Sequence, residues 1–188
     1  MEFTTRPLTP PARSRRRRAL ALVAALLASL APAAAVPSRA AAAPFESRDE
    51  AGQLFSWINQ ARLEHGRDPL VRDERLDALA LKKAWDMAEN GYFDHVSPAY
   101  GTVFDMLQAA GISYKWAGEN IARAGGAEQA HAALMQSPDH RANILSAGYT
   151  HVGVGAVRVG RRLYIAQVFA RPRDPAAAAR GGAEQASW

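Results

Sequence analysis

The sequence comprises 188 residues, with 23 Lys and Arg, 18 Asp and Glu, and no Cys. Seven of the bases but only one acid precede residue 44, so residues 44–188 carry 16 bases and 17 acids. That remainder has no excess positive charge to neutralise phosphates, which disfavours a basic nucleic-acid-binding domain and predicts no nucleic-acid partner. The lack of Cys excludes disulfides, thiolate metal sites and a Cys nucleophile.

The first 43 residues follow the order of a secretory signal peptide. Residues 13–18 hold five arginines, residues 19–31 are uncharged, and small residues with several Ala-x-Ala sites continue to residue 43. This order predicts a signal peptide over residues 1–43 and a secreted, extracellular protein. The apolar run is shorter than the about 20 residues of a bilayer-spanning helix, so no transmembrane span is expected in the mature chain. The alternative is a membrane tether through an uncleaved leader.

The remaining chain divides into one domain and a tail. Residues 44–171 are predicted to form a single domain with one core, because about 130 residues is an ordinary domain size. Residues 172–188 are rich in Ala, Gly and Pro and show no apolar period. That composition predicts a disordered tail over residues 172–188.

Apolar residues that recur at intervals of three and four predict helices in the first two thirds of the domain. The predicted helices span residues 49–65, residues 73–90, a short segment after Thr102, and residues 127–136. Gly66 and Gly91 are placed to end the first two. Pro138 is expected to limit the fourth helix, because proline disfavours the helical conformation at the residue before it.

The last third of the domain changes to a pattern typical of strands. The predicted strands span residues 119–124, 151–159 and 163–170. The last two are rich in Val, Ile and aromatic residues and flank Gly160, which predicts an antiparallel hairpin. Because helices precede strands without alternating with them, the fold class is predicted to be α+β and layered.

Familiar catalytic and phosphate-binding signatures are missing from the sequence. It contains no G-x-S-x-G, no H-E-x-x-H, no G-x-x-x-x-G-K-[ST], and no G-x-G-x-x-G that opens a helix. The pair Gly153 and Gly155 lies inside a predicted strand, so it indicates close backbone packing rather than a phosphate-binding loop.

Four polar clusters lie at the ends of the apolar elements. They are residues 92–98 (YFDHVSP), 118–122 (GENIA), 137–145 (SPDHRANIL) and 149–155 (YTHVGVG). In this order, and together with Asn59, Pro69-Leu70 and Met87-Ala88, they resemble the cysteine-rich secretory protein, antigen 5 and pathogenesis-related-1 superfamily, whose domain is called CAP or SCP. The bacterial secreted branch is the most similar, and the resemblance covers residues 50–169.

The resemblance implies an α–β–α sandwich with a central antiparallel sheet. It also implies a surface cavity lined by two histidines and one or two acids, and the matching residues here are His95, Glu119 and His140. The family's second Glu, shortly after the fourth helix, is absent from this chain. Ser137 or Asp139 is the candidate to replace it, and the missing acid argues against any mechanism that needs two carboxylates.

Two chemical uses of these residues stay open. Two imidazoles and a carboxylate match a three-ligand zinc site with an open fourth position, although the three residues are 24 and 21 positions apart. A divalent metal such as zinc is therefore a candidate on His95 and His140, with Glu119 as ligand or base, while no cofactor is required. The alternative is a serine–histidine mechanism that recruits Ser137 with His95 or His140. Ser137 and His140 can face one another on a helical turn, but no nucleophile elbow or evident oxyanion hole supports this mechanism.

The leading functional hypothesis is a non-catalytic extracellular binding module that uses the cavity around His95, Glu119, Ser137 and His140. The resemblance implies lipids, cell-wall components or other proteins as partners without selecting among them. The alternative is a metal-assisted hydrolase that acts on peptide or cell-envelope substrates. A third hypothesis is an envelope scaffold that uses its outer surface and leaves the cavity idle.

Overall fold

A computed structural model describes residues 42–173 of the chain. The helices among these residues are α1 (Arg48–Glu64), α2 (Glu74–Asn90), α3 (Val103–Ala109), α4 (Ala127–Gln136) and α5 (Pro138–Leu145). The strands are β1 (Phe45–Glu46), β2 (Val71–Arg72), β3 (Tyr114–Ala124), β4 (His151–Val159) and β5 (Arg162–Pro172). Most of the predicted signal peptide and tail lies outside the described residues. No helix within residues 42–173 combines the length and apolar character needed to cross a bilayer.

The strands form one sheet in the order β1-β4-β5-β3. The three long strands are antiparallel, and β1 also pairs antiparallel to β4. The two-residue β2 is the exception, because it runs parallel to the start of β4. The β4–β5 hairpin turns at Gly160, whose φ of 56° lies in the region that glycine adopts without strain. The predicted hairpin and central antiparallel sheet are confirmed.

Helices cover both faces of this sheet and give two separate cores. Helices α1, α4 and α5 pack on one face, against Leu163, Ile165 and Phe169 among others. Helices α2 and α3 pack on the other face, against the alternate residues of β5, such as Tyr164 and Ala166. Side chains that alternate along a strand point to opposite faces, so both faces of β5 are buried. The predicted α–β–α sandwich is confirmed.

Local capping explains the helix positions. The Asp73 side chain accepts hydrogen bonds from Arg75 N and Leu76 N and begins α2, and Gly91 ends α2 with a φ of 69°. Thr102 and Asp105 form a reciprocal capping box at the start of α3. Sequence signals therefore predict the ends of these helices to within a residue or two.

Two elements differ from the prediction. Helix α5 was not predicted, because Pro138 was interpreted only as a limit on α4. In the structure Pro138 is the first residue of α5, where its fixed φ and missing N–H are tolerated. Strand β3 begins at Tyr114 rather than at residue 119, and a bulge between Tyr114 and Trp116 interrupts its pairing with β5. The irregular, partly exposed start of this edge strand lacks a period-two pattern.

His131 provides a pH-dependent test of the contact between α4 and α1. Its ring lies 5.8 Å from that of Trp57, and burial lowers the pKa of His131 despite the nearby Glu64. Because His131 binds a proton more readily in the unfolded chain, its contribution to the free energy of unfolding is fully present above the usual histidine pKa and declines below it. Relative to His131→Leu, the free energy of unfolding should fall below about pH 6.5, by at most about 1.4 kcal/mol per pH unit. Urea denaturation at a series of pH values measures this, and a constant difference would contradict it.

Candidate functional site

The loop after α2 is folded tightly and carries His95. Ser97 and Gly101 exchange backbone hydrogen bonds of 2.8 and 3.0 Å. The Ser97 hydroxyl also accepts from the backbone N–H groups of Ala99 and Tyr100, at 3.1 and 2.9 Å. Since Ser97 is only 3% exposed, this turn anchors the loop to the domain. His95 therefore projects from a fixed segment rather than from a free loop.

His95 is paired with Glu119 of β3. His95 Nδ1 lies 2.7 Å from Glu119 Oε1, and the side chains are 55% and 3% exposed, respectively. An ionised carboxylate can only accept, so Nδ1 donates in this contact, and in the neutral tautomer that fits it the lone pair is on Nε2 of the half-exposed ring. Burial raises the pKa of Glu119, opposed by the hydrogen bond from His95 and by the charge of Lys83. The pair presents the half-exposed ring of His95 in an orientation that a buried acid fixes.

The second oxygen of Glu119 is buried without a hydrogen-bond partner among the described residues. An unpartnered buried acceptor next to a titratable ring is costly unless a proton, a water or a ligand satisfies it. Glu119 itself is sealed from solvent, so water reaches this pair at His95.

Ser137 and His140 form a second pair at the start of α5. Ser137 Oγ lies 2.8 Å from His140 Nδ1, so the predicted contact across one helical turn is present. Of the two residues considered as substitutes for the missing acid, Ser137 therefore contacts His140, whereas Asp139 is exposed.

A buried amide network links the two pairs. Asn120 is fully buried, and its Nδ2 donates to the carbonyl oxygen of His140 at 3.0 Å and to Gln167 Oε1 at 3.1 Å. Asn143 of α5 donates to Asn120 Oδ1 at 2.9 Å and to the carbonyl oxygen of Glu119 at 3.3 Å. Both asparagines therefore donate to backbone carbonyl oxygens of other elements. They hold α5 to the consecutive residues of β3 that carry the site.

The three-ligand metal arrangement is not formed by these side chains. Residues 42–173 contain no group of three or more His, Asp or Glu side chains placed to hold a metal ion. Glu119 acts on His95 as an orienting partner, and the hydrogen bonds at both Nδ1 atoms leave only Nε2 of His95 and of His140 for coordination. Five cavities in this part of the chain are lined by other residues. A shared hollow and a metal on His95 and His140 stay predictions.

Beneath the His95 loop lies a buried polar cluster that was not predicted from the sequence. Lys83 of α2 is fully buried, and its Nζ donates to the carbonyl oxygen of His95 at 3.1 Å and to Tyr92 Oη at 3.2 Å. The Tyr92 hydroxyl donates to Asp86, which also accepts from Asn90 Nδ2 at 2.8 Å. Lys83 occupies the buried stripe of α2, and a charged residue at such a position is the signal that would have revealed the cluster.

The cluster changes how its members ionise. Burial lowers the pKa of Lys83, although Glu119 and Asp86 oppose the shift. Burial alone would raise the pKa of Asp86, but hydrogen bonds from Ser97, Tyr92 and Asn90 outweigh it and lower that pKa. Burial and the contact with Asp86 raise the pKa of Tyr92. A cation therefore lies beneath the backbone of His95, close to the carboxylate that orients the His95 ring.

An α–β–α sandwich, with a histidine of the loop after α2 paired to a glutamate of the edge strand β3, defines the class of this protein. The model of the cysteine-rich secretory protein (CAP) family matches residues 55–170, so the chain belongs to that family.

Relatives and solved structures agree with this assignment. The chain is 43% identical to the protein YkwD of Bacillus subtilis (strain 168) over 135 residues, which cover 71% of this chain and 52% of YkwD. It is 34% identical to a structure of an extracellular protein containing an SCP domain from Bacillus anthracis str. Ames, with a TM-score of 0.61 over 66% of this chain and 41% of that one. An outer surface protein from Borrelia burgdorferi shares the fold, with a TM-score of 0.66 and 16% identity over 70% of this chain and 99% of that one. The chain spans about half the length of YkwD.

Proposed function

We propose that this chain is a secreted, extracellular CAP module that binds a ligand at His95 and does not break bonds in it. One observation carries the proposal: a half-exposed imidazole is held in one orientation by a buried carboxylate. Such a pair presents a directed acceptor nitrogen to solvent, and preorganised polar groups of this kind provide specificity. The extracellular and outer surface proteins that share the fold support the location.

The absence of a second acid favours binding over catalysis. A hydrolytic mechanism needs a nucleophile or activated water together with groups that stabilise developing charge. Among the described residues, Ser137 contacts His140 Nδ1, and no acid forms an ion pair with His140. The proposed partners are components of the cell envelope, namely lipids, wall polymers or proteins.

A divalent metal is the subsidiary part of the proposal. His95 and His140 would each offer Nε2, with Glu119 and Ser137 as outer partners that fix the two rings. Because only two protein ligands are assigned, water or a bound ligand must complete the coordination. The proposed binding of a ligand at His95 does not depend on this metal.

A zinc titration of the full chain tests whether the two histidines act together. We expect His95→Ala and His140→Ala each to weaken zinc binding by at least about tenfold. His151→Ala, which removes a histidine from the start of β4, is the matched control and should leave the affinity unchanged. Affinity should also decline at acidic pH, because a coordinating imidazole must be neutral. An equal loss in all three variants, or a constant affinity down to about pH 5, would count against coordination by these rings.

A capture experiment with purified cell walls and phospholipid vesicles separates the functional alternatives. Binding that is lost in His95→Ala and His140→Ala without turnover supports the module. Turnover of a peptide or wall substrate that requires both histidines would instead establish the hydrolase. Capture that survives both substitutions would establish a scaffold that uses another surface.

A further inference from the structure

One of the cavities in the described part of the chain is rich in arginine and is not lined by His95. It has a volume of about 270 Å³ and lies between the loop after α1, the loop before β4 and the end of β5. Its charged lining residues are Arg62, Arg67, Arg171 and Asp68. The cavity shares no lining residue with the candidate site, so its role is independent of the function proposed above. We refer to it as the arginine cavity.

The arginines of this cavity are not neutralised by acids. Arg62 is 2% exposed and donates to three backbone carbonyls, those of Asp68 at 2.7 Å, Ile144 at 2.7 Å and Ser146 at 2.9 Å. Within residues 42–173, the ion pairs formed join other residues and involve none of the three arginines. With Asp68 as the one acid in the lining, the cavity carries a net charge of +2.

Arg171 supplies a donor that lacks an acceptor. Its Nη2 donates to the carbonyl oxygen of Ala147 at 3.1 Å, whereas its Nε is buried without a partner among the described residues. A buried N–H with no acceptor costs free energy that a hydrogen bond would recover. An anion in the cavity would supply that acceptor and offset the positive charge.

Repulsion between the arginines also favours a bound anion in this cavity. Burial lowers the pKa of Arg62, and the charge of Arg67 lowers it further, while Asp68 acts in the opposite direction. Guanidinium groups that repel one another in a partly enclosed space are stabilised by a shared oxyanion.

Trp116 borders the same region and provides an apolar surface. It pairs with Arg171 across the sheet, and its side chain lies next to Gly148, in the turn before β4. Trp116 is 61% exposed, which is high for so large an apolar residue. An exposed indole beside a basic cavity fits a ligand that joins an anionic group to a less polar portion.

We propose that the arginine cavity binds a phosphate group carried by a larger molecule. Phosphate presents several oxygens to guanidinium donors, which bind it through paired hydrogen bonds. The volume of about 270 Å³ exceeds that of a single phosphate and leaves space for the group attached to it. The phosphate can belong to a glycerol-phosphate polymer or to a lipid headgroup, since both present the same diester chemistry.

Inorganic phosphate is the first probe, added to the ¹⁵N-labelled full chain at constant ionic strength. We expect saturable shifts, in the millimolar range or tighter, of the backbone amide resonances of the residues that line the cavity and, where Arg171 is present, of its Nε–H resonance. Arg67→Gln and Arg171→Gln should each weaken binding by about tenfold, because each removes charge-assisted hydrogen bonds. Arg161→Gln at the exposed hairpin tip removes the same charge and is the matched control. Because Arg67 is exposed, its replacement keeps the test valid even if Arg171→Gln unfolds the domain.

Glycerol-phosphate oligomers and phosphatidylglycerol vesicles, compared with phosphatidylcholine vesicles, then distinguish the two sources. The source is the probe that binds more tightly than free phosphate. Its binding should be lost in Arg67→Gln and retained in His95→Ala. A shift that does not saturate, an equal loss in Arg161→Gln, or a loss in His95→Ala instead would overturn the proposal.

Discussion

Gly155→Ala is expected to destabilise the domain by about 3 kcal/mol or more, a large part of the roughly 5–15 kcal/mol that holds a typical domain folded. A Cβ atom at Gly155 would lie far inside van der Waals contact with the backbone of Ala80 and Leu81 in α2. These neighbours are backbone atoms of a helix, so no side-chain rotation can relieve the overlap. The helix would have to move away from β4, and the core between them would lose packing.

Gly52→Ala in α1 is the matched control, because a Cβ there meets nothing within 4 Å. That substitution should stabilise the protein by about 0.5–1 kcal/mol, since alanine loses less conformational freedom than glycine in a helix. Chemical denaturation of both variants and the wild type measures the two effects. A loss below about 1 kcal/mol for Gly155→Ala would show that α2 is not held against β4 as closely as the structure indicates.

The Gly153 and Gly155 pair illustrates what the sequence could establish about the fold. Two glycines in a valine-rich strand predicted close backbone packing, and the structure places both against the backbone of α2. Helices α1, α2 and α4 and the β4–β5 hairpin were predictable for a related reason, since periodicity, caps and glycine stops are local signals. Local signals do not show which elements pack together across the sheet. The layered arrangement was predicted instead from the order of the elements and from the family resemblance.

Elements without a local signal were missed or shortened. Helix α5 fully buries only Ile144 and begins at a proline, so it shows neither a stripe nor an unambiguous start. The first half of β3 is an exposed sheet edge with a bulge, which removes the alternation that marks a strand. Tertiary contacts stabilise both segments, as the amide network from Asn120 to Asn143 shows for α5.

The candidate site was predictable in its residues but only partly in their pairing. His95 and Glu119 are 24 positions apart, and the family resemblance, rather than their spacing, brought them together. The sequence indicated that Ser137 and His140 could meet on a helical turn, and that contact is present. Nothing in the sequence indicated that Glu119 pairs with His95, because that contact depends on how the loop after α2 packs against β3.

Lys83→Met is expected to destabilise the domain by about 3 kcal/mol and to loosen the loop that carries His95. The substitution leaves the carbonyl oxygen of His95 without its buried donor and removes a cation that interacts electrostatically with Glu119 and Asp86. Methionine fills a similar volume, so the loss comes from the polar contacts rather than from a cavity. Denaturation gives the stability change, and the NMR signals of the His95 ring report its altered environment and mobility.

Lys82→Met is a control of the same chemistry one residue away. Lys82 is exposed, with its Nζ 3.9 Å from the centroid of the Tyr100 ring, and its loss should cost no more than about 1 kcal/mol. Combining Asp86→Asn with Lys83→Met should recover part of the stability, because a neutral amide no longer needs the neighbouring cation; a double-mutant cycle measures this coupling. Equal, small effects of the two lysine substitutions, with an unchanged His95 signal, would mean that the buried cation does not position the site. A large effect confined to Lys83 would show that the orientation of His95 depends on α2 beneath it as well as on Glu119 beside it.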